Sequence, residues 1–114
     1  MAQSQEPLIP YGRQWIDADD RAAVDRVLQS DFLTTGPEIS AFEKELCQYT
    51  GARYCVAVSS ATAALHIAVA ALDLPPGTEG VTSPNTFVAS ANCLAYNGVT
   101  PRFGDIDPDT FNLD

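Results

Sequence analysis

A chain of 114 residues holds one domain at most, and 46% hydrophobic residues are enough for a packed core. Fifteen acidic residues against six basic ones give a net charge of −9. That balance excludes a nucleic-acid footprint, which needs clustered Lys and Arg, and it gives no attraction to an anionic membrane surface.

The opening stretch "MAQSQEPLIP" has neither a basic n-region nor an apolar h-region, so no signal peptide is expected. Residues 1–16 read as an extended arm, because Pro7 and Pro10 disfavour regular structure. A first helix is predicted from Asp17 to about Ser30. Asp17 is a suitable N-cap, acids follow in the first turn, and Ala23, Val24, Val27 and Leu28 form one apolar stripe. "DFLTTGP" breaks it. Pro37 suits the first turn of a second helix, where Ile39, Phe42, Leu46 and Tyr49 recur on one face and Gly51 is the natural stop.

Beyond Gly51 the pattern changes. "RYCVAVS" (53–59) reads as a buried strand and Ser60–Leu72 as a third helix, apolar on all sides and therefore expected to be covered on both faces. "GVTS" (80–83) is a second strand, about Phe87 to Asn97 a fourth helix ended by Gly98, and 99–107 a third strand. Pro101 places that strand at an edge or near its own start. The order βαβαβ implies an α/β fold with a parallel sheet. The longest apolar run, near Ala63–Leu72, is too short to span a bilayer. Cys47, Cys55 and Cys93 are odd in number, widely spaced and form no CxxC. They predict free thiols in a reducing compartment, hence a cytoplasmic protein.

In open α/β sheets ligands bind beyond the carboxyl ends of the strands. Here those loops are Ser59-Ser60-Ala61-Thr62, Ser83-Pro84-Asn85-Thr86-Phe87 and Gly104-Asp105-Ile106-Asp107. The first is rich in small hydroxyl side chains and opens a helix. Its free amides and dipole suit a phosphate, with Thr62 and Ala63 supplying amides and Thr62 a hydroxyl; simple capping accounts for the same residues. No GxGxxG or GxxxxGK[ST] is present. Phe87 either stacks on a planar ligand or packs into the fourth helix's core. His66, the only histidine, reads as a hydrogen-bonded core or interface group. Asp105, Asp107 and Asp109 alternate as in a calcium loop, but Thr110 stands where that loop needs glycine, so turn chemistry is expected instead.

"SDFLTTGPEISAFEKEL", "GARYCVAVSSATAALHIAVAAL" and "SPNTFVASANCLAYNGVTPRFGDIDPDTFNLD" together resemble, in order and spacing, the N-terminal part of the DegT/DnrJ/StrS-type sugar-nucleotide aminotransferases. The likeness runs from about Ile9 to Asp114. It implies the three-layer large domain of the aspartate-aminotransferase fold (PLP fold type I), with residues 1–36 as arm and first helix and 37–114 as the start, incomplete, of the domain that binds pyridoxal 5'-phosphate (PLP). By position, Thr62 and Ala63 fall on the contacts of the cofactor-phosphate cradle with Ala61 beside them, and Phe87 falls where an aromatic ring stacks on the pyridine. "SPNTFVASANC" and "IPYGRQWI" look most like the enzymes that aminate the 4-keto group of a UDP-linked 4,6-dideoxy-N-acetylhexosamine on the route to pseudaminic acid.

The resemblance further implies amino transfer, typically from glutamate, to a 4-keto-6-deoxy sugar nucleotide by a homodimer. It requires a Schiff-base lysine. The chain's only lysine is Lys44, between Glu43 and Glu45 on the second helix and ahead of the cofactor loop. In the family both that lysine and the cofactor-facing aspartate lie after the region matched here. The chain is therefore expected to be an N-terminal fragment with half a cofactor site and no catalytic group, inactive alone. The alternatives are a small flavodoxin-like phosphate-binding module and a non-catalytic structural member of the family. In the family's seven-stranded sheet the first strand lies away from the next two, so 80–83 is expected to pair with 99–103 and not with 53–58.

Overall fold

Asp17 begins the first regular element, and its carboxylate explains why. Oδ1 accepts from the amides of Asp19 (2.9 Å) and Asp20 (3.1 Å), while Asp20 Oδ2 accepts from the Asp17 amide (3.0 Å). This reciprocal capping box opens α1, Ala18–Leu28. In this computed structural model residues 12–114 are described; the expected arm at 1–11 lies outside them, and 12–16 form no helix or strand. Asp17→Ala removes the cap and is expected to cost about 0.5–2 kcal/mol of α1 stability. Faster amide exchange confined to α1 would be the signature.

The second helix, α2, runs Pro37–Thr50 with Pro at its first turn. It stops at Gly51, whose φ of 74° is left-handed and whose amide donates to the Cys47 carbonyl (2.9 Å). These helices belong to one compact unit, Met1–Cys55; a second spans Val56–Asp114.

In the second unit α3 (Ala61–Ala70) is followed by β1 (Glu79–Thr82), α4 (Ala89–Ala95) and β2 (Thr100–Phe103). β1 and β2 are parallel, with Glu79 opposite Thr100, Gly80 opposite Pro101, Val81 opposite Arg102 and Thr82 opposite Phe103. The Thr100 amide donates to Thr78 O and the Gly104 amide to Thr82 O. Alternation then turns the nitrogen of Pro101 away from β1, so its missing N–H costs the ladder nothing. α4 packs on this pair, with Leu94 over Gly80; a Cβ added at Gly80 would lie 2.6 Å from a Leu94 methyl.

Four expectations change. No strand forms at 53–59: an apolar run becomes a strand only beside a partner, and among the described residues β1 pairs with β2 alone. The fourth helix is shorter than 87–97, with Phe87 left outside it. α3 holds no buried residue, and Leu65 and Ile67 stay 40% and 52% exposed. The hidden core described here is small: Ala89, Cys93 and Val99. His66 likewise is not a core group. It is exposed, with its ring tilted against Tyr96 at 5.2 Å.

Glu79 and Arg102 tie the two strands together, Arg102 Nε donating to Glu79 Oε1 at 2.8 Å. That bond and the guanidinium charge hold the Glu79 carboxyl below its ordinary range. Asp107 is lowered by the amides of Thr110 and Asp109 and by the Thr110 hydroxyl. Its Oδ1 accepts from Asp109 N (2.9 Å) and Thr110 N (2.7 Å), so this carboxylate builds the turn. Both folded-state pKa values lie below the unfolded ones. The stabilisation is complete above roughly pH 4–4.5, where the unfolded groups titrate, and is lost as pH falls through the lower folded values. Protection factors, corrected for the intrinsic pH dependence of amide exchange, should fall over that acid range for β1 and β2 and for the turn at 107–110, with no step from these groups between pH 6 and 8.

Candidate functional site

α3 begins where two serines meet an alanine and a threonine. Ser60 is the N-cap, in extended backbone, and its Oγ accepts from the Ala63 amide at 3.1 Å; the Ala64 amide reaches Ser60 O at 3.0 Å. The Ala63 amide, expected to serve an anion, is therefore taken by the cap; the amides left without an acceptor inside the helix are those of Ala61 and Thr62, which precede the first intrahelical bond. The hydroxyl of Thr62 is exposed beside them. Ala61 and Ala63 add only methyl groups, leaving the backbone approachable. From Tyr54 to Leu72 the sequence carries no Asp, Glu, Lys or Arg. An anion at this turn would meet amides, a hydroxyl and the positive end of a ten-residue helix, with no like charge from the same segment. The donor set fits a phosphate held without a side-chain cation.

Phe87 lies in the loop that carries β1 into α4. Its side chain is 72% exposed, which removes the reading of a core residue of that helix. The loop is held from both sides. The Asn85 amide donates to Ser83 Oγ (3.0 Å), the Thr86 and Ser90 hydroxyls are 2.9 Å apart, and the Ser90 amide donates to Phe87 O (3.0 Å). Ala61, Thr62 and Ala63 thus share one turn, and Phe87 lies two residues before α4, the helix packed on α3. That packing includes the His66–Tyr96 pair and a bond from Asn97 Nδ2 to His66 O at 3.2 Å. Sequence reasoning overlooked Asn97, because an Asn-Gly pair after a helix reads only as a stop.

Lys44 lies within α2, exposed. Among the described residues no group of three or more His, Cys, Asp or Glu is placed to hold a metal ion, and no helix is long and apolar enough to cross a membrane. Cys47, Cys55 and Cys93 are free thiols.

The profile of the DegT/DnrJ/EryC1/StrS aminotransferase family matches residues 14–114. The chain belongs to this family. Family membership replaces the reading of the chain as a small flavodoxin-like module. Over all 114 residues the chain is 41% identical to the spore coat polysaccharide biosynthesis protein SpsC of Bacillus subtilis (strain 168), of which it spans 29%. Among solved structures it is similar to Helicobacter pylori PseC, an aminotransferase involved in the biosynthesis of pseudoaminic acid. The TM-score is 0.84 at 36% identity, covering 92% of this chain and 29% of PseC. It is also similar to the E. coli GDP-4-keto-6-deoxy-D-mannose-3-dehydratase with bound hydrated PLP. There the TM-score is 0.85 at 28% identity, covering 92% of this chain and 28% of the dehydratase. These neighbours identify the α/β fold as that of the family's PLP-dependent enzymes.

Proposed function

We propose that this chain supplies the phosphate-binding turn and the ring-covering aromatic of a PLP site, in an enzyme that moves an amino group from a donor such as glutamate to a 4-keto-6-deoxy sugar nucleotide. The observation that carries the reading is the family match over residues 14–114. It gives the uncommitted amides and hydroxyl at the start of α3 a specific anion to hold. Residues 37–114 would be the start of the large domain, 1–36 its arm and first helix, and the working enzyme a homodimer.

PLP supplies the electron sink for the reaction. This chain's residues bind and orient it: the Ala61 and Thr62 amides and the Thr62 hydroxyl hold the phosphate, Ser60 locks the Ala63 amide to shape the turn, and Phe87 lies against one ring face. By the family resemblance the cofactor-bearing lysine lies after the matched region, so Lys44, set between two glutamates on α2, is not assigned that role. The purified 114-residue chain, mixed with PLP and glutamate, is accordingly expected to show neither the absorbance band of lysine-bound PLP nor turnover. Either signal, if abolished by Lys44→Ala, would refute the half-site assignment.

The likeness to PseC supports a UDP-linked 4-keto-6-deoxy-N-acetylhexosamine as amino acceptor, on a route to pseudaminic acid. Amino sugar formed from that acceptor by the native protein carrying this chain would establish it. The dehydratase neighbour motivates a second reading, loss of a hydroxyl from a keto-sugar on the same PLP scaffold. A deoxy product retaining no new nitrogen would favour that one.

A further inference from the structure

Phe87 has little packing of its own to fix its ring: the side chain is 72% exposed. Within this chain the contacts that hold it are those of the backbone that carries it. That backbone is bracketed by a side-chain pair, Thr86 Oγ1 and Ser90 Oγ at 2.9 Å, one immediately before Phe87 and the other three residues after it. Inside the bracket the Ser90 amide closes a turn on Phe87 O. Outside it Ser83 Oγ caps the Asn85 amide. α4 starts without a side-chain cap of its own, its N-cap being Val88. The hydroxyl pair is thus the side-chain tie across the junction between loop and helix.

We propose that Thr86 and Ser90 form a clamp that positions Phe87 for stacking on a flat heteroaromatic ligand. They are positioning residues: they act on the ligand through the Phe87 ring, touching it with nothing themselves. The inference rests on the reading that Phe87 covers the PLP ring. Ordering an exposed aromatic before binding reduces the entropy that binding must overcome, which is the physical gain such a clamp offers.

The test measures, on the native protein carrying this chain, the dissociation constant of PLP, the competition constant of inorganic phosphate and the thermal midpoint. Thr86→Val keeps the side-chain shape and deletes the hydroxyl; Ser90→Ala deletes the other partner; Thr86→Ser restores a hydroxyl. Thr86→Val and Ser90→Ala are each expected to weaken PLP by roughly two- to tenfold, the range for a lost neutral hydrogen bond. The double variant should be little worse than either single one, since both break the same bond. Thr86→Ser should bind PLP within about twofold of wild type, as its hydroxyl can remake that bond. Phosphate competition, which reports the α3 turn, should not move.

Phe87→Leu separates the two layers of the argument. If it weakens PLP while Thr86→Val does not, the clamp is refuted and the stacking role stands. If it leaves PLP affinity unchanged, the stacking role itself fails and the clamp with it. A parallel loss of PLP affinity, phosphate competition and thermal midpoint in Thr86→Val would mark a general structural role and overturn the proposal.

Discussion

Thr62→Val is expected to weaken PLP binding by about 1–3 kcal/mol, the range for a hydrogen bond to a charged group. The substitution keeps the branched shape and the exposed setting of residue 62 and removes one donor from the start of α3. The cap is untouched, because Ser60 Oγ serves the Ala63 amide and not residue 62. Stability should therefore hold while affinity falls. Titrating the native protein with PLP and with pyridoxal, which lacks the phosphate, resolves the cause. The deficit should appear with PLP and vanish with pyridoxal. An equal loss for both would move Thr62 away from the phosphate, and no loss at all would leave it as part of an ordinary helix start.

Gly80→Ala is the second large effect expected, and it falls on folding. A methyl group there would sit 2.6 and 2.7 Å from the two Leu94 methyls and 3.2 Å from Leu94 Cγ. Those distances are well inside van der Waals contact, so α4 must lift from β1 or Leu94 must leave its rotamer. Overpacking of this kind costs about 1–3 kcal/mol. Shortening the opposing side chain makes the assignment specific: Gly80→Ala combined with Leu94→Ala should recover part of the loss, giving a non-additive pair in unfolding measurements. Strict additivity would show that the glycine serves the strand's backbone and not the approach of the helix.

The two variants probe different layers of the chain, and the sequence was informative about them to different degrees. Asp17, Pro37, Gly51 and Ser60 marked helix ends that the structure reproduces closely, because each acts on backbone groups within four residues of itself. The α3 turn was visible for the same reason. Its hydroxyls and small residues are consecutive, and the donors they leave free follow from helix geometry alone. Asp107 also behaves as its neighbours suggested, its carboxylate engaged by the amides two and three residues on.

What the sequence alone could not decide are properties of pairs far apart. The run at 53–59 has strand composition but no ladder, since a partner is not encoded in the run itself. Whether Phe87 packs or projects depended on where α4 begins, and that start lies at Ala89, two residues beyond Phe87 and within the span bridged by Thr86 and Ser90. The close approach of Gly80 to Leu94, the tie between Glu79 and Arg102 across 23 residues, and the bond from Asn97 to His66 across 31 arise only when β1, α4, β2 and α3 are assembled. Capping and turn chemistry are short-range and were legible in the sequence. Pairing, burial and side-chain approach depend on which surfaces meet, and only the tertiary structure decided them.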